Sequence, residues 1–194
     1  MSQQAGKIET DGKQVIVTNS EDVLCYPSTY TSEKLSLCSH EEANTRMMVH
    51  VADAVDKGHN SIMIRTVDTD VVVLAVSAVH TLGIKELWVS FGTGKNHKIL
   101  PTHRYASALG PVRSRNLPIF HALTGSDTTS FFARHGKKTA WNTWETYPEV
   151  TRAFVELASG PSSITDETLA TIKRFIVLMY DRASTLDKVW KQAD

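Results

Sequence analysis

The sequence predicts an α/β fold in which helices flank a small parallel sheet and a helical extension follows. Two largely apolar runs at residues 61–66 and 86–91 predict strands, and a helical apolar pattern separates them. From residue 101 onward the apolar spacing is helical throughout. Strand–helix alternation of this kind favours a parallel sheet covered by helices. We assign residues 1–194 to one domain, with an α/β core at 13–125, a helical extension at 126–194 and a flexible start at 1–12.

The first elements are a strand and a capped helix. A β-branched run predicts a strand at residues 14–18, whereas residues 19–37 are rich in turn formers and predict no element. Ser39 followed by Glu42 has the capping-box pattern of a helix start. Apolar residues at helical spacing continue this helix, and Gly58 supplies the stop.

The remaining elements follow the same reasoning. We expect a helix at 71–82 that Gly83 ends, and an edge strand at 98–100 after a glycine-rich turn. The later helices are expected at 101–109, 117–123, 137–146, 148–159 and 165–183. The large aromatic residues fall at core-like spacing, and packing is their expected role. These residues are Trp88, Phe131, Phe132, Trp141, Trp144 and Phe154.

Composition bounds the possible functions. Hydrophobic residues make up 41% of the 194 positions and charged residues 22%, a balance typical of folded globular domains. Lys+Arg and Asp+Glu are equal at 21 each, so any surface that binds nucleic acid must be local. Two cysteines, Cys25 and Cys38, are too few for a disulfide framework and indicate a reducing, intracellular setting. No apolar run reaches the roughly 18 residues of a membrane span.

Acidic residues gather at three predicted strand–helix junctions. Asp68 and Asp70 follow the strand at 61–66, and alternation along an extended segment would point both side chains the same way. Ligands of open α/β sheets bind beyond the carboxyl ends of strands, and Mg²⁺ or Mn²⁺ prefers oxygen ligands. The pattern therefore predicts a divalent-metal site for phosphodiester chemistry. The alternative is structural: Asp68 or Asp70 caps the next helix, Glu41 and Glu42 complement a helix dipole, and Asp127 is another cap.

The three clusters together resemble the PIN-like domain of the flap-endonuclease (XPG-type) structure-specific nucleases. Glu42-Ala43-Asn44 matches that family's Glu-Ala-Glu at a helix start, and Asp68-Thr69-Asp70 matches its Asp-x-Asp. Gly125-Ser126-Asp127 matches the Gly-Ser-Asp before a helix–two-turn–helix element. The run Gly136-Lys137-Lys138 is similar to the glycine-containing turn that opens the second helix of that element. The resemblance covers about residues 39–146.

The resemblance implies a nuclear, metal-dependent nuclease that cuts structured DNA or RNA with two Mg²⁺ or Mn²⁺ ions. The metal ligands that it implies are Glu41, Glu42, Asn44, Asp68, Asp70 and Asp127. Four of them are also the implied catalytic residues: Glu42, Asp68, Asp70 and Asp127. The implied nucleic-acid contacts are Gly136, Lys137, Lys138, Lys95 and Arg104, for which a solvated surface is the alternative interpretation.

The chain also departs from the family pattern. Asn44 stands where the family has a carboxylate, and Glu41 on the same helical face offers a compensating charge. The upstream acidic ligand of the family is unmatched, with Glu21 or Asp22 as a stand-in, so the chain resembles the carboxyl-terminal part of such a domain. Two alternatives stay open: a degenerate module that binds nucleic acid or a protein partner without cutting, and a phosphatase with a closed pocket. His121 is expected to be a satisfied buried histidine.

Overall fold

The computed structural model describes residues 13–19, 22–27, 35, 43–126, 132, 135–160, 162 and 164–185. By its contacts the chain divides into two compact units, residues 1–59 and 60–194. The α/β class is confirmed, since the described residues form strands and α-helices in both units. The strands are β1 (Val15–Asn19), β2 (Asp22–Tyr26), β3 (Ser61–Thr66), β4 (Glu86–Phe91) and β5 (Lys98–Pro101). The helices are α1 (Ala43–Asp56), α2 (Thr69–Leu82), α3 (Thr102–Leu123), α4 (Lys137–Thr146), α5 (Val150–Ala158) and α6 (Asp166–Tyr180).

The N-terminal unit contains a hairpin and one helix. β1 confirms the first expected strand, and it pairs antiparallel with β2, which the sequence analysis did not predict. The Thr18 hydroxyl lies 3.0 Å from His50 Nε2 and so links β1 to α1. After α1, Gly58 takes a φ of 85° and completes a Schellman turn in which its N–H donates to the Val55 carbonyl. The expected start of this helix at Ser39 lies outside the described residues, as does the segment 1–12.

The C-terminal unit is built on a three-stranded sheet with the order β3-β4-β5. β3 and β4 are parallel and confirm the two predicted strands, whereas β5 runs antiparallel to β4. The sheet is therefore mixed and not wholly parallel. The physical reason is the short connection over residues 92–97, because a parallel return would need a crossover of a dozen or more residues. Ile64, Leu87 and Val89 fill the buried face of the sheet.

Helices α2 and α3 cover this sheet and pack on each other. In α2, Val71, Ala75 and Val79 recur every fourth residue and are buried, which confirms the amphipathic pattern. α3 consists of two helical segments that meet at Gly110, where φ is 76° and ψ is 166°, so the two helices expected at 101–109 and 117–123 are both present and the second begins earlier than expected. The helix resumes at once with Pro111, whose fixed φ suits a first helical position.

The C-terminal helices enclose an aromatic core with the end of α3. Phe120, Trp144, Phe154 and Phe175 are almost completely buried there. The core role expected for Trp144 and Phe154 is confirmed, whereas Phe131 lies outside the described residues. α4, α5 and α6 confirm the helices expected in this region. No helix within the described ranges is both long and apolar enough to cross a membrane.

Candidate functional site

The candidate site lies beyond the carboxyl end of β3, where the start of α2, the end of α3 and the start of α4 approach one another. We call Asp68, Asp70, His121 and Lys137 the Asp70 cluster. All four residues belong to the C-terminal unit. Their hydrogen bonds connect the start of α2 and the start of α4 to the end of α3.

Asp68 is the N-cap of α2. Its backbone is extended, with φ −96° and ψ 128°, and its Oδ1 accepts a hydrogen bond of 2.8 Å from the Asp70 N–H. The Asp68 N–H donates in turn to the Thr66 hydroxyl at 3.0 Å. The capping interpretation is therefore confirmed for Asp68. Because α2 begins at Thr69, Asp68 and Asp70 do not share the extended segment from which a common side-chain direction was expected.

Asp70 pairs with a histidine 51 residues away. Its Oδ1 lies 2.8 Å from His121 Nε2, and the two side chains are 34% and 12% exposed. A carboxylate oxygen can only accept, so Nε2 carries the hydrogen in this contact. Asp70 also lies in the first turn of α2, where the helix dipole favours a negative charge.

Lys137 closes the cluster from α4. Its ammonium donates to the His121 carbonyl at 3.1 Å, the Thr124 hydroxyl at 3.3 Å and the Gly125 carbonyl at 2.5 Å. These oxygens lie at the end of α3, where unpaired carbonyls and the helix dipole favour a cation. Burial lowers the pKa of Lys137, and the negative charge of Asp70 opposes that effect. Lys137 therefore binds the end of α3 while it lies within electrostatic reach of Asp70.

The other predicted phosphate contacts near the site are exposed. Gly136 caps α4 without a side-chain hydrogen bond, and Lys138 follows in its first turn with an exposed side chain. Lys95 is exposed in the 3-10 turn between β4 and β5. The Gly92 N–H, at the start of that connection, donates to the Thr66 carbonyl at 3.0 Å. The connection that carries Lys95 therefore begins at the same edge of the sheet as Asp68.

Arg104 lies elsewhere. It is exposed in the first turn of α3, and the neighbouring Thr102 hydroxyl donates to the Leu87 carbonyl at 2.8 Å. Leu87 is near the amino end of β4, so α3 begins at the end of the sheet opposite Asp70. The structure thus brings Lys95 to the edge of the predicted site and does not bring Arg104 there.

Glu41, Glu42 and Asp127 lie outside the described residues, as does Glu21, and Asn44 belongs to α1 of the N-terminal unit. Among the described side chains, no group of three or more His, Cys, Asp and Glu residues is arranged to hold a metal ion.

The donors at the edge of β3 fit a divalent cation in kind. Mg²⁺ commonly takes one or two carboxylates and completes its shell with water and phosphate oxygens. Asp68 and Asp70 supply two carboxylates. The Asp70 hydrogen bond uses Oδ1, and no described residue donates to Oδ2. One oxygen of Asp70 is thus available, within this part of the chain, for an additional ligand.

The expectation of a satisfied histidine at position 121 is confirmed, because His121 hydrogen-bonds to Asp70. The identity of that partner was not predicted from the sequence. The available signal was indirect: His121 lies one turn before Gly125, in the motif that resembles the nuclease family. Local spacing does not reveal a contact across 51 residues, because helix packing sets that distance.

Comparison of the chain with protein-family models, curated proteins and solved structures found no match. The resemblance to flap endonucleases therefore stays a prediction from the motifs. The features of the chain that bear on its function are the carboxylates of the Asp70 cluster and the lysine side chains around it.

Proposed function

We propose that this chain is a PIN-like domain of the flap-endonuclease type that hydrolyses phosphodiester bonds in structured DNA or RNA with Mg²⁺ or Mn²⁺. The observation that carries the proposal is the position of Asp68 and Asp70 beyond the carboxyl end of β3, in a parallel strand pair. That edge is where open α/β sheets bind their ligands. We expect the protein to be intracellular and nuclear.

The residues of the chain have distinct roles in this proposal. Asp68 and Asp70 hold the cation, and the resemblance adds Glu42 and Asp127 to them. A bound divalent cation would activate water and stabilise the charge that develops on the phosphate oxygens. The exposed Lys95 and Lys138 bind phosphates that flank the scissile one. Lys137 fixes the end of α3 beside Asp70.

A second candidate is a module that binds nucleic acid, or a protein partner, without cutting. One observation favours it: His121 and Lys137 already surround Asp70 with a hydrogen-bond donor and a positive charge. Such groups can balance the negative charge of a carboxylate, which in an active nuclease a metal cation would balance. The exposed lysines would still attract the phosphate backbone.

The small-phosphoester phosphatase has less support. A cavity of about 250 Å³ lies between α5 and α6, with Arg152, Glu156 and Thr168 in its wall. Those residues are distinct from the Asp70 cluster, and no residue of the cluster lines this cavity. This cavity therefore gives no support to a closed pocket at Asp68 and Asp70, which a small phosphoester substrate would need.

The test compares cleavage of a labelled 5′-flap duplex and a matching single strand in Mn²⁺ by the wild-type chain, Asp70→Asn and Asp166→Asn. Asp166 is the matched control, because it is an exposed aspartate in the first turn of α6. Cleavage that Asp70→Asn abolishes and Asp166→Asn retains supports the nuclease. Binding of the flap without cleavage or Mn²⁺ uptake supports the module that does not cut. Absence of binding and cleavage in the wild-type chain overturns both nucleic-acid functions.

A further inference from the structure

His121 has a role that the family resemblance does not supply. We propose that His121 is a positioning residue for Asp70: its Nε2–H holds Oδ1 and leaves Oδ2 to a divalent cation. The inference rests on the proposed metal-dependent function and adds to it a residue that orients one ligand. It is carried by the contact of 2.8 Å between Nε2 and Oδ1.

The histidine is the more firmly held partner of the pair. Its side chain is 12% exposed, against 34% for Asp70. The preceding residue, Phe120, stacks on Trp144 with 4.9 Å between ring centroids. The backbone carbonyl of His121 accepts a hydrogen bond from Lys137. These contacts hold the backbone of α3 at His121, and the imidazole is the more buried side chain of the pair, so we take the more exposed carboxylate as the group that is oriented.

Lys137 does not orient the Asp70 carboxylate by a hydrogen bond within the described residues. Its ammonium is directed to the His121 carbonyl, Thr124 and Gly125, and within the described residues it donates no hydrogen bond to Asp70. Its effect on Asp70 is therefore one of charge, which has no preferred carboxylate orientation. The directional contact comes from His121 alone among the described neighbours of Asp70.

Partners of this kind affect metal affinity measurably. A hydrogen bond to a ligating carboxylate fixes the rotation of its plane, and loss of such a partner typically weakens metal binding about 10–100-fold. A glutamine side chain can keep an N–H donor near the position of Nε2, whereas phenylalanine keeps the ring volume and removes the donor. The two substitutions therefore separate hydrogen bonding from packing.

The experiment measures the dissociation constant of Mn²⁺ by electron paramagnetic resonance of the free ion. It uses the full chain as wild type, His121→Gln, His121→Phe, Asp70→Asn and His80→Phe. His80 is the matched control, because it is a half-buried histidine whose Nε2 lies 3.0 Å from the Ala106 carbonyl. We expect His121→Phe to weaken Mn²⁺ binding about 10–100-fold. His121→Gln and His80→Phe are expected to stay close to the wild-type affinity.

The outcomes separate the two levels of the proposal. Wild-type affinity in His121→Phe, with binding lost in Asp70→Asn, would overturn the role of His121 and leave the metal site intact. Equal loss in the Gln and Phe variants would also overturn positioning by a hydrogen bond. Absence of Mn²⁺ binding by the wild-type chain would overturn the metal-dependent function, and the inference with it.

A measurement on unaltered His121 covers the case in which its variants fail to fold. Imidazole ¹H–¹⁵N correlation spectra of the wild-type chain report which ring nitrogen carries the hydrogen. We expect Nε2 to stay protonated while Mg²⁺ shifts the His121 resonances, and Asp70→Asn to remove that shift. Loss of the Nε2 hydrogen on Mg²⁺ addition would identify His121 as a direct ligand and overturn the positioning role.

Discussion

The rings of Phe120 and Trp144 stack with 4.9 Å between their centroids and an angle of 24° between their planes. Both rings are buried, and Trp144 Nε1 also donates a hydrogen bond of 2.8 Å to the Thr151 hydroxyl. Phe120 directly precedes His121 in α3. The aromatic core and the candidate site are therefore attached to the same helical turn.

The first prediction concerns this core. Trp144→Ala should reduce the free energy of unfolding by about 3–5 kcal/mol, because it removes a buried indole and leaves a cavity. Trp141→Ala is the control, since that indole is only half-buried and hydrogen-bonds to Glu145 on its own helix. Urea unfolding followed by circular dichroism measures both. Equal losses would contradict the central position given to Trp144.

Asp68 has two separable roles, as a helix cap and as a proposed metal ligand. Asp68→Ala should cost about 1 kcal/mol of unfolding free energy, because the Asp70 N–H loses its side-chain acceptor. Asp68→Asn keeps a capping oxygen and should preserve stability, but it removes the charge that a cation requires. Thermal unfolding and Mn²⁺ titration of the two variants distinguish these effects. Full Mn²⁺ affinity in Asp68→Asn would refute the ligand role.

The two neighbouring lysines of α4 should behave differently. Lys137→Met loses three hydrogen bonds to the end of α3 and should lower stability by about 1 kcal/mol, discounted for the exposure of the side chain. Lys138→Met should leave stability within about 0.5 kcal/mol. If Lys138 contacts a phosphate, its loss should reduce the salt dependence of flap binding by about one phosphate contact. A larger change in the salt dependence for Lys137→Met would reverse the assigned roles.

Glu156 gives a prediction about acid stability. The hydroxyl of Thr168 donates to its carboxylate and, with Arg152, lowers its pKa below the ordinary 4.5. A lowered folded-state pKa contributes stability above the unfolded value, which is lost as pH falls through the folded value. Thr168→Val should raise the Glu156 pKa towards 4.5 and weaken this dependence.

An NMR titration of the Glu156 carboxyl carbon measures that pKa directly. Thr171→Val is the control, because Thr171 lines the same cavity but its hydroxyl donates to the Glu167 carbonyl. An unchanged Glu156 pKa in Thr168→Val would show that the hydroxyl is not the main cause of the shift.

Much of the fold could be predicted because its signals are local. Strands β3 and β4 have continuous apolar runs, and Gly58 and Gly83 end their helices in the left-handed conformation that favours glycine. β2 was missed, because Asp22–Tyr26 is short, lies within the turn-rich segment 19–37 and has no clear apolar alternation. The direction of β5 was missed because strand propensity does not report strand polarity.

The candidate site could be predicted only in part. Asp68 and Asp70 were identified from their place after a strand, a signal contained within a few residues. Their use was harder to predict, since Asp68 caps α2 and Asp70 meets His121 through the packing of α2 on α3. The three hydrogen bonds of Lys137 likewise depend on how α4 approaches the end of α3. Such contacts are properties of tertiary packing and leave no periodic pattern.

The break at Gly110 divides α3 into two segments with different attachments. The first is held to the amino end of β4 by Thr102, whose hydroxyl donates to Leu87, and the second is held by Phe120 in the aromatic core. The amide hydrogens on either side of Gly110 should therefore exchange with solvent in separate cooperative units. Amide exchange in the first segment of α3 would then follow the opening of the sheet, and amide exchange in the second segment would follow the opening of the helical extension.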